Sequence, residues 1–254
     1  MENDNLIELN TSFMPQNYLP ETKDTQETAH LSSHSVEKYW VRLANTEERK
    51  TMASVLVTRM YSGKGYITEG ITDFKDPREE KTFTLIVQDT TGRPIGTLSV
   101  GMDGEHGLYA DILYPDEVAK LRVKDKVICE FKKFAIAPTV KNRRIIASIF
   151  HIALLYTRHF FGVTDCISEV TPAHSKFYVR FLEAEVIGAE KLCPRVNTTG
   201  VLMHLDMRHA EARALEVGGQ MSTAVNDRTL YPFFFSKKDA EGILGRLKKI
   251  EGGE

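Results

Sequence analysis

Two stretches of the chain carry side chains able to move a proton among apolar neighbours. The first is Ile128-Cys129-Glu130-Phe131-Lys132-Lys133-Phe134-Ala135-Ile136-Ala137-Pro138, a strand-like run closed by a proline, with a carboxylate near its start. Alternation puts Glu130, Lys132, Phe134 and Ile136 on one face and Cys129, Phe131, Lys133 and Ala135 on the other. Each face therefore carries charge among apolar groups. Either Glu130 is an ion-pair partner across the sheet, or it stands at a cleft where partial burial raises its proton affinity and suits it to general-base work. The second stretch is Val170-Thr171-Pro172-Ala173-His174-Ser175-Lys176-Phe177-Tyr178-Val179-Arg180-Phe181-Leu182. A strand ends, a proline turns the chain, and a helix begins that carries Tyr178. That residue is either a core tyrosine with a bonded hydroxyl or a general acid.

Between the two lies Thr139-Val140-Lys141-Asn142-Arg143-Arg144, which opens a long helix with three basic residues. Positive side chains there oppose the helix dipole, whereas the free amides of a helix start favour an anion. The cluster is either a solvated basic face or the seat of a phosphate or an acidic partner.

Several elements must position these groups. Tyr39–Ala44 reads as a strand, and a helix capped by Asn45 or Thr46 runs to about Tyr61. Ser62 to Lys81 is a long charged loop, more often functional than idle at that length. Thr82–Gln88 and Ile95–Val100 form a hairpin around Asp89 and Gly92, and Pro115–Arg122 a short helix. The strand of Glu130 spans about Lys126–Ile136. Lys141–Phe160 is the strongest helix, with Ile145, Ile149, Ile152, Leu155 and Tyr156 on one stripe. Cys166–Val170 is a strand, His174–Glu183 a helix and Val201–Met207 a last strand. A helix over Arg208–Val217, the aromatic run Tyr231–Phe235 and an amphipathic helix over Lys237–Ile250 follow. Strands alternating with helices predict an α/β fold with a mixed central sheet and helices on both faces. Three parts are expected: a disordered N-terminal arm (1–35), a main α/β domain (36–210) and a C-terminal helical and aromatic extension (211–254).

Composition narrows the function. With 254 residues, 42% hydrophobic, 27% charged and a net charge of −2, the chain affords a core and lacks the polybasic surface of a nucleic-acid binder. Cys129, Cys166 and Cys193 are widely spaced, which argues against a disulfide framework or a metal site and for free thiols in a reducing cytoplasm. No signal peptide is expected at the N-terminus and no apolar run reaches bilayer length. The expected location is cytoplasmic.

Four runs in order then carry a resemblance: Gly107-Leu108-Tyr109-Ala110-Asp111-Ile112-Leu113-Tyr114-Pro115-Asp116-Glu117-Val118, the strand of Glu130, the helix of Tyr178, and Arg195-Val196-Asn197-Thr198-Thr199-Gly200-Val201-Leu202-Met203-His204-Leu205-Asp206-Met207. Together they resemble the long-chain N-acyl amino acid synthases, a branch of the GNAT superfamily close to acyl-homoserine lactone synthases, over roughly Tyr39 to Met207. The resemblance implies a GNAT-like sheet in which two parallel strands, here Lys126–Ile136 and Cys166–Val170, splay in a V around a pantetheine thioester. It implies a fatty acyl-acyl carrier protein as donor and the α-amine of an amino acid as acceptor, with no bound cofactor. The usual acetyl-CoA phosphate loop (R/Q-x-x-G-x-G/A) is absent, and Val140-Lys141-Asn142-Arg143-Arg144-Ile145 stands in its place. Lys133 and Ser99 stand where homoserine lactone synthases have arginine, which speaks against that chemistry.

In that frame Glu130 takes the ammonium proton and Tyr178 protonates the leaving sulfur. Backbone amides of Phe134, Ala135 and Ile136 hold the thioester oxygen. Lys141, Arg143 and Arg144 receive the pantetheine phosphate and the acidic carrier, with Lys132 and Lys133 as lesser members of that patch. Phe131, Phe134, Ile149, Phe160 and Phe177 line the acyl site or are ordinary core. Glu69, Asp73 and Arg78 are the loop residues available to the acceptor. Two alternatives stand beside this reading: a GNAT-type enzyme using acyl-CoA on another amine, and a non-catalytic acyl- or carrier-binding module.

Overall fold

Period-two alternation of apolar side chains builds the strands, and the apolar stripe of the long helix covers them. The computed structural model describes residues 7–10, 38–66, 76–222 and 226–252. Its strands are β1 (Ile7–Asn10), β2 (Lys38–Leu43), β3 (Thr82–Asp89), β4 (Pro94–Met102), β5 (Ile128–Ile136), β6 (Asp165–Val170), β7 (Glu185–Cys193) and β8 (Thr198–Asp206). They form one eight-stranded sheet in the order β1-β2-β3-β4-β5-β6-β8-β7. Every neighbouring pair is antiparallel except β5 and β6.

Helices cover both faces. Helix α1 (Glu47–Ser62), capped by Thr46, presents Ala53 to Ile86 and Leu56 and Val57 to Ala135. Helix α2 (Pro115–Leu121) and the short helical turn Tyr109–Ile112 pack Tyr114 and Val118 on Ile128 and Ile167 of the same face. The other face belongs to α3 (Arg143–Phe161), α4 (Pro172–Leu182), α5 (Met207–Val217) and α6 (Lys237–Gly252). There Leu85, Val87, Cys129 and Phe131 meet Ile145, Ile149 and Ile152 in the main core.

One irregularity shapes everything near Glu130. Thr97 pairs with Ala135 and Ser99 with Lys132, so Leu98 alone opposes Lys133 and Phe134. This is a β-bulge, and Lys133 sits at its centre with φ 54°, in the left-handed region. The bulge corrects the strict alternation read from the sequence. Phe134 and Ile136 join Phe131 on the α3 face, whereas Ala135 turns to α1. A bulge also bends its strand, and β5 pairs with β6 only over Ile128–Asp165, Cys129–Cys166 and Glu130–Ile167. Beyond Glu130, β5 follows β4 and β6 follows β8.

Three readings differ from the structure. Strand β7 was not expected: it is an edge strand, mostly exposed, with register shifts around Gly188. A side chain at 188 would stand 2.7 Å from the Tyr114 ring, so glycine interrupts the pattern that announces a strand. Within the expected N-terminal arm, Ile7–Asn10 pairs with β2. Four residues are too few to display a period. Finally, α5 crosses the division placed at 210/211, and Leu230, Tyr231, Phe233, Phe234, Phe235, Ile243 and Leu247 belong to the main core. His151 of α3 ties that segment down. Its Nδ1 accepts the Phe235 amide at 2.9 Å, its ring stacks on Phe234 at 4.6 Å, and burial lowers its pKa to about 3, so it stays neutral.

Phe234→Ala is therefore expected to cost about 3–5 kcal/mol, the range for emptying a buried aromatic site, when measured by urea unfolding. A change within the roughly 0.5 kcal/mol typical of surface substitutions would mean that the C-terminal segment is not part of the folding unit.

Candidate active site

The fork between β5 and β6 opens at Glu130, the last residue of β5 that pairs with β6. Its side chain is 2% exposed, and Oε2 accepts the Tyr109 amide at 2.8 Å. Burial raises its pKa from 4.5 to about 7, against the opposing pull of Lys132, Arg195 and the Tyr109 amide, and with a small push from Glu169. A carboxyl with that value exchanges its proton near neutral pH, as a general base must.

Two chemically different compartments flank the fork. On the α3 face, Phe150 gathers Phe134 at 5.0 Å, Phe131 at 6.0 Å, and Phe177 and Tyr178 at 6.2 Å between ring centroids. The Ser168 hydroxyl donates to the Phe131 carbonyl at 2.8 Å, across the widening gap. Tyr178 is buried with its hydroxyl toward Ser168. Burial raises its pKa far above 10, so it holds its proton at any ordinary pH.

The α1 and α2 face is polar. Lys132 and Lys133 meet Glu79 at 3.1 and 2.7 Å. Burial alone would push Glu79 up, but the two lysines outweigh it and hold its carboxyl below the usual range. The Tyr109 hydroxyl donates to Glu79 at 3.0 Å, and its ring carries the Lys132 ammonium at 4.6 Å and the Arg195 guanidinium at 4.5 Å. Arg195, from the β7–β8 turn, stands 3.8 Å from Glu169 Oε2. That oxygen is buried with no hydrogen-bond partner among the described residues. Tyr61, near the end of α1, is pushed up to about 12 by burial, with Arg195 opposing.

The sequence-derived candidates distribute unevenly over this geometry. Glu130, Tyr178, Phe131, Phe134 and Phe177 converge on the fork, and the amides of Ala135 and Ile136 lie on β5 just beyond the bulge. Ile149 does not face the fork; it packs beside Gly96 and Ile136 on the neighbouring strand pair. Phe160 sits at the far end of α3 against Tyr156. Lys132 and Lys133 point inward to Glu79 and are not part of a basic surface patch. Lys141 precedes α3, whose cap is Asn142, so the first turn holds only Arg143 and Arg144. Arg143 is half-buried over Phe181 at 5.1 Å and Phe233 at 5.8 Å, its pKa lowered by burial and by Arg180. Arg78 pairs with Asp76 at 2.9 Å and lies over Tyr109, whereas Glu69 and Asp73 lie outside the described residues.

Sequence reasoning missed Phe150, Glu79, Tyr109, Glu169 and Arg195. One signal was available for Glu169: it ends an apolar strand two residues past Ile167, the same pattern that singled out Glu130. Tyr109 and Arg195 lie within the runs that carry the family resemblance, but no local feature marks them. Glu79 emerges only when a loop folds back on the bulge.

A mixed sheet with a forked parallel pair and helices on both faces is a GNAT-like fold. The fold is similar to that of FeeM, an N-acyl amino acid synthase from uncultured soil microbes, at 24% identity and a TM-score of 0.61, over 68% of this chain and 93% of that one. Weaker matches are a putative N-acetyltransferase from Lactobacillus plantarum (10% identity, TM-score 0.48, 66% and 98% of the two chains) and the AHL synthase LasI (13%, 0.46, 66% and 90%). No curated protein matches the chain at a significant level. The family profile for the N-acyl amino acid synthase FeeM matches residues 52–206, more than half of the chain. The protein belongs to that family and is an N-acyltransferase.

The sign of the Glu130 shift fixes two pH effects. Between 4.5 and about 7 the folded protein holds a proton that the unfolded chain releases. This group's contribution to stability is therefore full at low pH and is lost as pH rises through about 7. A reaction that uses Glu130 as base would run the opposite way, with kcat/KM rising with pH through about 7. Lys132→Met removes the foremost cation favouring the carboxylate and is expected to move that inflection upward. An unchanged profile would dissociate the inflection from Glu130.

Proposed function

We propose that the protein moves a long-chain fatty acyl group from an acyl-carrier-protein thioester to the α-amine of an amino acid. The observation that carries this reading is the division of the fork into an aromatic compartment on the α3 face and a charged one on the α1 and α2 face, with Glu130 at their junction. An acyl thioester and a polar amine need such opposite surroundings within reach of one base.

The steps follow from these groups. Glu130, ionised, takes a proton from the acceptor's ammonium. The freed amine nitrogen attacks the thioester carbon, and β5 amides between Phe134 and Ile136 hold the developing oxyanion. The C–N bond forms, the C–S bond breaks, and Tyr178 gives its proton to the leaving pantetheine sulfur; the proton shed by the new amide nitrogen restores Tyr178, and Glu130 releases the proton it took to solvent. The burial that keeps Tyr178 protonated also raises the proton affinity of a thiolate formed beside it, which makes the transfer feasible. Phe131, Phe134, Phe150 and Phe177 surround the acyl chain. Lys141 and Arg144 meet the pantetheine phosphate and the acidic carrier at the start of α3, where free amides already favour an anion. Arg143 supports that end through its aromatic stack.

Glu130→Gln is expected to keep donor affinity and lower turnover by roughly two orders of magnitude or more, the effect of removing a general base; near-normal turnover would reduce Glu130 to a structural group. Tyr178→Phe is expected to slow the acyl-transfer step in single-turnover assays with little change in binding. Loss of stability at an unchanged rate per folded molecule would make it a core residue. The Lys141→Glu, Arg144→Glu double variant is expected to weaken use of acyl-carrier protein strongly and of a short acyl-pantetheine much less, with carrier affinity falling steeply in salt. Equal losses with both donors would leave only phosphate binding to that cluster.

A further inference from the structure

The loosely made pair of Arg195 and Glu169 has no part in the steps above. Glu169 leaves β6 just past the fork, on the same face as Ile167 and hence as Glu130. Its side chain is 9% exposed and its Oε2 has no hydrogen-bond partner among the described residues. A buried carboxylate oxygen without a donor is costly, and native proteins keep such groups where something else completes them. The nearest cation, Arg195, stays at 3.8 Å, beyond hydrogen-bonding range. It rests instead on the Tyr109 ring, with its side chain 34% exposed and so reachable from solvent.

The two members of this pair present opposite charges side by side. A simple amine can satisfy only the carboxylate. An α-amino acid brings a carboxylate together with its ammonium, both attached to one carbon. That matches a guanidinium and a carboxylate already set side by side but not in contact.

We propose that Arg195 and Glu169 form a clamp for a zwitterionic acceptor. The Arg195 guanidinium receives the acceptor's carboxylate, and Glu169 Oε2 receives its ammonium beside Glu130. Binding replaces one 3.8 Å contact by two charge-assisted hydrogen bonds. The pair is then specificity-determining: it makes the enzyme choose amino acids over amines that lack the carboxylate. This inference rests on the acyl-transfer reading above.

The test offers wild-type protein a dodecanoyl-pantetheine thioester with leucine or phenylalanine, each beside its decarboxylated counterpart, 3-methylbutylamine or 2-phenylethylamine. Wild type is expected to acylate the amino acids in preference. Arg195→Gln is expected to lower the preference for amino acid over amine, read as the ratio of their kcat/KM values at one pH, by roughly 10- to 100-fold, the range for losing a hydrogen bond between charged groups; any effect of the lost charge on Glu130 falls on both substrates alike and leaves that ratio unchanged. Arg195→Lys keeps the charge and is expected to fall between. Equal losses for amino acid and amine in the Arg195→Gln protein would overturn the clamp and make Arg195 a structural neighbour of Glu169. Equal use of amino acid and amine by wild type would also overturn it, while N-acyl transfer itself would stand. Acylation of none of the four by wild type would remove the reading on which the clamp rests.

Discussion

After three residue pairs the parallel strands β5 and β6 separate, and the candidate site is arranged around that parting. The bulge at Lys133 and Phe134 bends β5 toward β4, while β6 keeps its full register with β8. Backbone groups that a continuous sheet would have paired become available along the fork. One of them, the Phe131 carbonyl, is already met by Ser168. The bulge also redistributes side chains, sending Phe134 to the aromatic cluster while Lys132 and Lys133 share Glu79. A strand without the bulge would bring a lysine, not a phenylalanine, toward Phe150.

Burial and charge are opposed at the fork, and their balance sets the chemistry. Burial by itself drives Glu130 toward its neutral form, and Lys132, Arg195 and the Tyr109 amide restrain it near 7. The same cations are kept from collapsing onto Glu130 by partners of their own. Lys132 is held by Glu79 and by the Tyr109 ring, and Arg195 by that ring and by Glu169. Tyr109 ties these groups together: its ring carries Lys132, Arg195 and Arg78, its amide donates to Glu130 and its hydroxyl donates to Glu79.

Much of this was readable in the sequence where a period or a cap was strong. The stripe of α3, the hairpin of β3 and β4, and the carboxylate in an apolar strand all stand out because local pattern and tertiary role agree. Strand β7 was silent because Gly188 yields to Tyr114 and most of its residues face solvent. The face assignments beyond Lys132 failed because a bulge adds a residue without changing composition. Arg195 comes from a turn, and Tyr109 and Glu79 from two short helical turns, so only the folded chain brings them beside Glu130. The basic run before α3 looked uniform, yet its members differ: Arg143 is drawn under aromatic rings, whereas Lys141 stays exposed.

The central claim is that the forked site joins a fatty acyl group to the nitrogen of an amino acid. Mass spectrometry of lipid extracts from cells expressing the protein tests it most directly, with cells expressing Glu130→Gln at equal level as the control. The account predicts N-acyl amino acids, amide-linked and long-chain, in the first extract and a large reduction in the second. The same lipids in both extracts, or none in either, would contradict it.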